Sequence, residues 1–157
     1  MLIAIAGTWH YLQHEARKRD VGDTLQPIAA LLDDNKRIIV SLTKDGLTES
    51  ESAILDTYLQ RIRKDGVPKN SVMKQRIDAL VNNNTAIVAL LFKYIPRART
   101  ALFRSAAGKF VDYAASFRDR WQSVFEIFMA GGSVPAAGPA FPSDMAVAVS
   151  AEITAAS

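Results

Sequence analysis

Two histidines four residues apart, His10 and His14, are the first side chains in this sequence that could act together on a ligand. On a helix both imidazoles fall on one face, within reach of a single metal ion. Zinc takes three or four ligands, and the chain has no cysteine and no third histidine. Asp20, Asp23 and Glu15 are nearby acids that nothing in the spacing selects. Two ordinary surface histidines are the expectation, with no metal. Asp33 and Asp34 are adjacent and would point about 100° apart on a helix, so they do not face one substrate as an acid–base pair. No glycine-flanked serine and no phosphate-cradling glycine loop occurs; Gly7-Thr8-Trp9-His10 has neither a following lysine nor a second glycine. With no catalytic constellation and no cofactor motif, the sequence points away from an enzyme and calls for no cofactor.

Charge offers a different chemistry. Residues 1–56 hold six basic against nine acidic side chains, residues 57–120 thirteen against four, and residues 121–157 none against three. The basic middle contains an ordered component if one helix runs on from Pro96. Arg97, Arg104 and Arg118 then lie within about 60° of one another on the wheel. Such a row suits a phosphate backbone, because guanidinium grips phosphate oxygens bidentately. A second nucleic-acid candidate is the helix–turn–helix rhythm across residues 54–81. It would place Lys69, Asn70, Lys74 and Arg76 at the start of a recognition helix. Any glycine-containing helical hairpin looks similar, and a solvated charged face is the plainer account of the arginines.

Aromatic residues give the strongest local pattern. Phe103, Phe110 and Phe117 repeat every seven residues, joined by Tyr113, Trp121, Phe125 and Phe128. Rings of this size bury ~150–250 Å² each, so this face must meet protein. A bundle core accounts for most of it. A helix longer than its neighbours would leave its far end, Phe117, Trp121, Phe125 and Phe128, for another subunit. Beyond Gly131-Gly132 the composition turns to Gly, Pro, Ala and Ser. The segment ends in apolar residues, Met145, Val147, Val149 and Ile153, suited to docking on a neighbour.

The elements that must position these groups follow from apolar residues recurring at steps of three and four. They fall at Leu2, Ile5, Trp9, Leu12 and Ala16, then at Leu25, Ile28, Leu32, Ile39 and Leu42, with Asn35 in the same phase. Thr48 to Glu51 reads as a capping box opening a helix that Asp65-Gly66-Val67-Pro68 ends. Asn70 or Ser71 starts the next, interrupted at Asn82-Asn83-Asn84, where Asn84 can cap a second part; Asn35, Asn83 and Asn84 are read as surface or capping groups rather than core markers of register. Pro96 starts the last and longest helix, closed at Gly131. The β-branched runs at residues 2–6 and 37–42 fit the same helical spacing as their neighbours.

The expected fold is therefore all-α: a bundle of four to five helices over residues 1–130, its C-terminal helix long, with an extended Pro/Ala-rich tail over 131–157. No signal peptide or membrane span is evident, so a cytoplasmic chain with no membrane partner is expected. The expected role is a non-enzymatic interaction or assembly subunit, self-associating or part of a larger complex. The alternative is backbone binding of RNA or DNA through the basic region, within a ribonucleoprotein.

Overall fold

A computed structural model describes residues 2–43, 51–134 and 141–156. Its regular elements are all helical: α1 (Leu2–Asp20), α2 (Gln26–Thr43), α3 (Glu51–Asp65), α4 (Ser71–Tyr94), α5 (Ala101–Ala130) and α6 (Met145–Ala156). No strand occurs among the described residues. The all-α expectation is met, and the runs at 2–6 and 37–42 are helical.

The first two segments run as one helical backbone. Between α1 and α2 lies a widened π turn, Val21–Leu25, in which the Gln26 amide donates to the Val21 carbonyl five residues back. Pro27 explains it. Proline has no N–H for the carbonyl four residues earlier, and its ring collides with that carbonyl in a regular α-helix. Loosening the turn relieves both problems without ending the helix.

The core is a set of heptad-like faces. α4 buries Met73, Ile77, Leu80, Asn84, Ile87, Leu91 and Tyr94, alternating steps of four and three without a break. α5 buries Phe103, Phe110, Tyr113, Phe117, Trp121 and Val124 along one flank. Aromatic edges lock these faces together: Tyr58 of α3 meets Trp121 at 5.0 Å between ring centres, and Tyr94 meets Phe103 at 5.2 Å. Edge-to-face geometry places positive ring edges against negative faces.

The three asparagines correct their expected roles. α4 passes through Asn82–Asn84 without a kink or a new cap, and Asn35 and Asn84 are buried between α2 and α4. Asn35 Nδ2 donates to Asn84 Oδ1 at 2.8 Å, and Asn83 Nδ2 donates to Asn35 Oδ1 at 3.0 Å and to Asp34 Oδ2 at 2.7 Å. A heptad position occupied by asparagine on both helices pairs only in one register, because a slip leaves buried amides without partners. Asn70 also departs from its expected part. Its side chain caps nothing on α4; it donates back to the carbonyls of Arg61 and Gly66 and so closes the end of α3. The capping box at Thr48 to Glu51 falls outside the described residues.

Pro96 does not open the long helix. It sits in a short 3-10 turn, Ile95–Arg97, after which Ala98 is extended. α5 starts at Ala101, with Thr100 Oγ1 accepting from the Phe103 amide at 3.2 Å. It then runs 30 residues to Gly131, whose φ of 69° satisfies the left-handed cap glycine adopts readily. The long helix is not the C-terminal one, because α6 follows it.

The expected apolar tail end is that sixth helix, packed back on the chain's own bundle against α5, α2 and the π turn. One of its fully buried side chains is charged. Glu152 is fully buried and accepts from Tyr94 Oη at 2.7 Å, Thr100 Oγ1 at 2.7 Å, the Thr100 amide at 3.1 Å and the Arg99 amide. The Arg99 and Thr100 donors stand at the N-terminus of α5, where the helix dipole also favours an anion, and Tyr94 reaches in from the end of α4. They hold the carboxyl below its ordinary value although burial pushes the other way, and the same contact together with burial pushes the Tyr94 phenol up.

Candidate interaction surface

Apolar periodicity makes α1 a helix, but its described N-terminal half leaves the bundle. Every residue from Ala4 to Leu12 is exposed, among them Ile5 at 62%, Trp9 at 64%, Tyr11 at 64% and Leu12 at 57%. Ile5, Trp9 and Leu12, with Ala4 and Thr8, line a shallow apolar groove along one side. Large apolar side chains on a free helix have no reason to stay in water, since burying each contributes ~1.5–3 kcal/mol. The only side-chain hydroxyl among residues 4–9 is already satisfied: Thr8 Oγ1 donates to the Ala4 carbonyl at 2.9 Å. Further along, α1 closes on three cations, Arg17, Lys18 and Arg19. Its two acids are paired: Glu15 lies 3.7 Å from Lys18, and Asp20 lies 3.0 Å from Arg97.

The interaction residues expected from the sequence are divided by the fold. Phe117 and Trp121 face the chain's own core, Trp121 Nε1 donating to Asp78 Oδ1 at 2.8 Å. Met145 and Val149 are buried under α6. These four are spent inside one copy and present no surface without unpacking. Phe128 and Ile153 are half-buried, while Phe125 is 39% and Val147 63% exposed. The far end of α5 keeps Phe125 and Met129 exposed, and α1, which the sequence offered only as one amphipathic segment among several, adds an exposed apolar run of Ile5, Trp9, Tyr11 and Leu12. The signal available was the stretch from Leu2 to His14, which carries no Asp, Glu, Lys or Arg.

The arginine row is broken for a local reason. Arg97 lies in the 3-10 turn rather than on α5, where it pairs with Asp20 and sits 5.9 Å over the Tyr94 ring. Arg104 donates to the Ala98 carbonyl at 2.6 Å, and Arg118 contacts Asp119 at 3.3 Å. At the start of α4, Lys74 pairs with Asp78 at 2.9 Å, a bond that raises the Lys74 pKa. Lys69 is exposed in the preceding 3-10 turn, Arg76 is half-buried, and Asn70 is buried against α3. The cations are thus distributed over turns and intrahelical pairs instead of forming one straight face.

His10 and His14 are exposed on α1. Among the described residues no group of three His, Cys, Asp or Glu side chains is placed to share a metal ion, and no helix is long and apolar enough to cross a membrane. No protein-family model, curated protein or solved structure matches the chain.

Proposed function

We propose that the chain is a non-catalytic interaction subunit: a helical bundle that joins a larger assembly through α1. One observation carries this reading. A helix continuous in backbone with α2 presents Ile5, Trp9 and Leu12 on a segment that no part of the described chain covers. Contiguous exposed apolar side chains of this kind mark contact sites. The bundle supplies the stiffness. Two heptad faces, an asparagine lock between α2 and α4, and the Glu152 clasp under α6 fix the base from which α1 extends.

Multi-angle light scattering of the full chain over a concentration and salt series tests the proposal. Wild-type protein in lipid-free buffer is expected to exceed the monomer mass as concentration rises. The triple variant Ile5→Ser/Trp9→Ser/Leu12→Ser is expected to stay monomeric with unchanged helicity, because these side chains touch nothing in the core. A wild-type monomer at every concentration would remove self-association through this face.

A further inference from the structure

We infer that the α1 surface docks on an anionic lipid bilayer; this rests on α1 being the docking element, with self-association in lipid-free buffer being the same apolar face covered by a second copy when no bilayer is present. Three observations distinguish a bilayer from a second helix.

The first is the distribution of apolar groups around the helix. A helical partner covers one seam and leaves charged residues on its flanks. Here the exposed segment has Ile5, Trp9 and Leu12 on one side and Ala4, Ala6, Gly7 and Tyr11 around the rest, with His10 its main polar interruption and no Asp, Glu, Lys or Arg between Leu2 and His14. An exposed helix apolar on nearly every side fits a solvent that is apolar on every side. Thr8, the one hydroxyl among residues 4–9, bonds its own backbone at Ala4, as a hydroxyl placed in hydrocarbon must.

The second is the order of chemistry along the axis. Residues 2–8 are small or aliphatic apart from Thr8. Trp9, His10, Tyr11 and His14 follow, and Arg17, Lys18 and Arg19 come last. At ~1.5 Å per residue the first group reaches about 10 Å, inside the roughly 15 Å of one hydrocarbon leaflet. Trp and Tyr then stand at the interfacial level that their amphipathic rings favour. The cations lie about 12–15 Å beyond Trp9, at headgroup depth and within reach of long side chains.

The third is charge complementarity at that level. Residues 15–19 hold three cations against one carboxylate, and that carboxylate, Glu15, is already turned to Lys18. Asp20 is bound to Arg97, so that pair adds no net charge at this end of the bundle. Asp23 lines the adjoining cleft with Arg19 and Arg97. The collar therefore stays net positive toward an anionic headgroup layer. Entry into one leaflet is compatible with the absence of a membrane-crossing helix among the described residues, and it departs from the expectation of a chain with no membrane partner.

Flotation of the full chain with phosphatidylcholine vesicles, with and without phosphatidylserine, tests this directly. Wild-type protein is expected to float with the serine-containing vesicles, with a blue shift in tryptophan emission that Trp9→Phe abolishes. Replacing Arg17, Lys18 and Arg19 with alanine is expected to weaken partition to anionic vesicles by about 100-fold. Ile5→Asp is expected to weaken it at least ~10-fold on both lipid types, with the circular dichroism of the bundle unchanged. Absence of vesicle binding overturns the inference. So does binding that survives Ile5→Asp with Trp9 emission unmoved, which is adsorption by the bundle's own charges. Association in lipid-free buffer through α1 without vesicle binding assigns the surface to a second copy and leaves the proposed function standing. A monomer that binds no vesicle removes both.

Discussion

Replacing Glu152 with glutamine keeps the shape of the clasp beneath α6 and removes its charge. The carboxylate now receives four donors: Tyr94 Oη, Thr100 Oγ1 and the amides of Arg99 and Thr100. Glutamine retains one accepting oxygen and turns an NH₂ toward the other pair. The Thr100 hydroxyl can rotate to accept, but the Thr100 amide cannot, so one buried N–H loses its partner. A hydrogen bond to a charged group contributes ~1.5–3 kcal/mol, and stranding a buried donor costs about as much again at the upper end. Glu152→Gln is therefore expected to destabilise by about 2–3 kcal/mol at neutral pH. For a chain of this length that lowers Tm by roughly 5–10 °C. Glu152→Ala, which strands all four donors, should cost more, on the order of 3–5 kcal/mol.

The pH dependence identifies the charge as the cause. The folded carboxyl is held below its ordinary 4.5 by these hydrogen bonds. A depressed folded value means the contribution is fully present above the unfolded value. It is lost as pH falls through 4.5 toward the folded one. Urea denaturation of wild type and Glu152→Gln from pH 7 down to pH 3 should show the gap between them closing in acid. Hydrogen exchange should show the variant's α6 amides opening before those of α4. A gap under ~0.5 kcal/mol at neutral pH, or one of constant size through the acid range, would refute the reasoning.

Three further outcomes follow from buried polar atoms and one strained cap. Asn84→Ala strands the Asn35 amide between α2 and α4 and should cost about 1–3 kcal/mol in denaturant melts, whereas the double variant Asn35→Leu/Asn84→Leu should recover most of the loss while loosening register, read as broader amide resonances. Tyr58→Phe should be neutral or stabilising by up to ~1 kcal/mol, because the Tyr58 hydroxyl is buried without a hydrogen-bond partner while its ring edge on Trp121 is retained; a loss above that size in thermal melts would show that the hydroxyl is satisfied after all. Gly131→Ala puts a side chain at φ 69°, where no neighbour crowds it, so the cost should be the backbone conformation alone, about 1–2 kcal/mol by calorimetry.

Periodicity by itself determined the class of fold and most of the core, because a face that must be buried recurs every three or four residues whatever it packs against. That is why Ile28, Ile54, Ile77, Leu91 and Phe110 could be placed inside from their spacing. Gly66 and Gly131 were equally legible, since the φ values of 85° and 69° at which they stop α3 and α5 suit glycine. Spacing does not say which buried faces meet, and the errors fall there. Asn35 and Asn84 are 49 residues apart, and only the pairing of α2 with α4 makes them core partners instead of surface groups. Glu152 is a lone acid on an apolar segment, unremarkable until α6 folds back on the start of α5. Met145 and Val149 were available to a neighbour until that same fold-back consumed them. α1 was treated the other way. Its residues carry the same three–four signal as a core helix, yet Ile5, Trp9 and Leu12 stay exposed among the described residues. A pattern along the chain fixes which side of a helix seeks cover; the path of the rest of the chain through space decides whether cover is there.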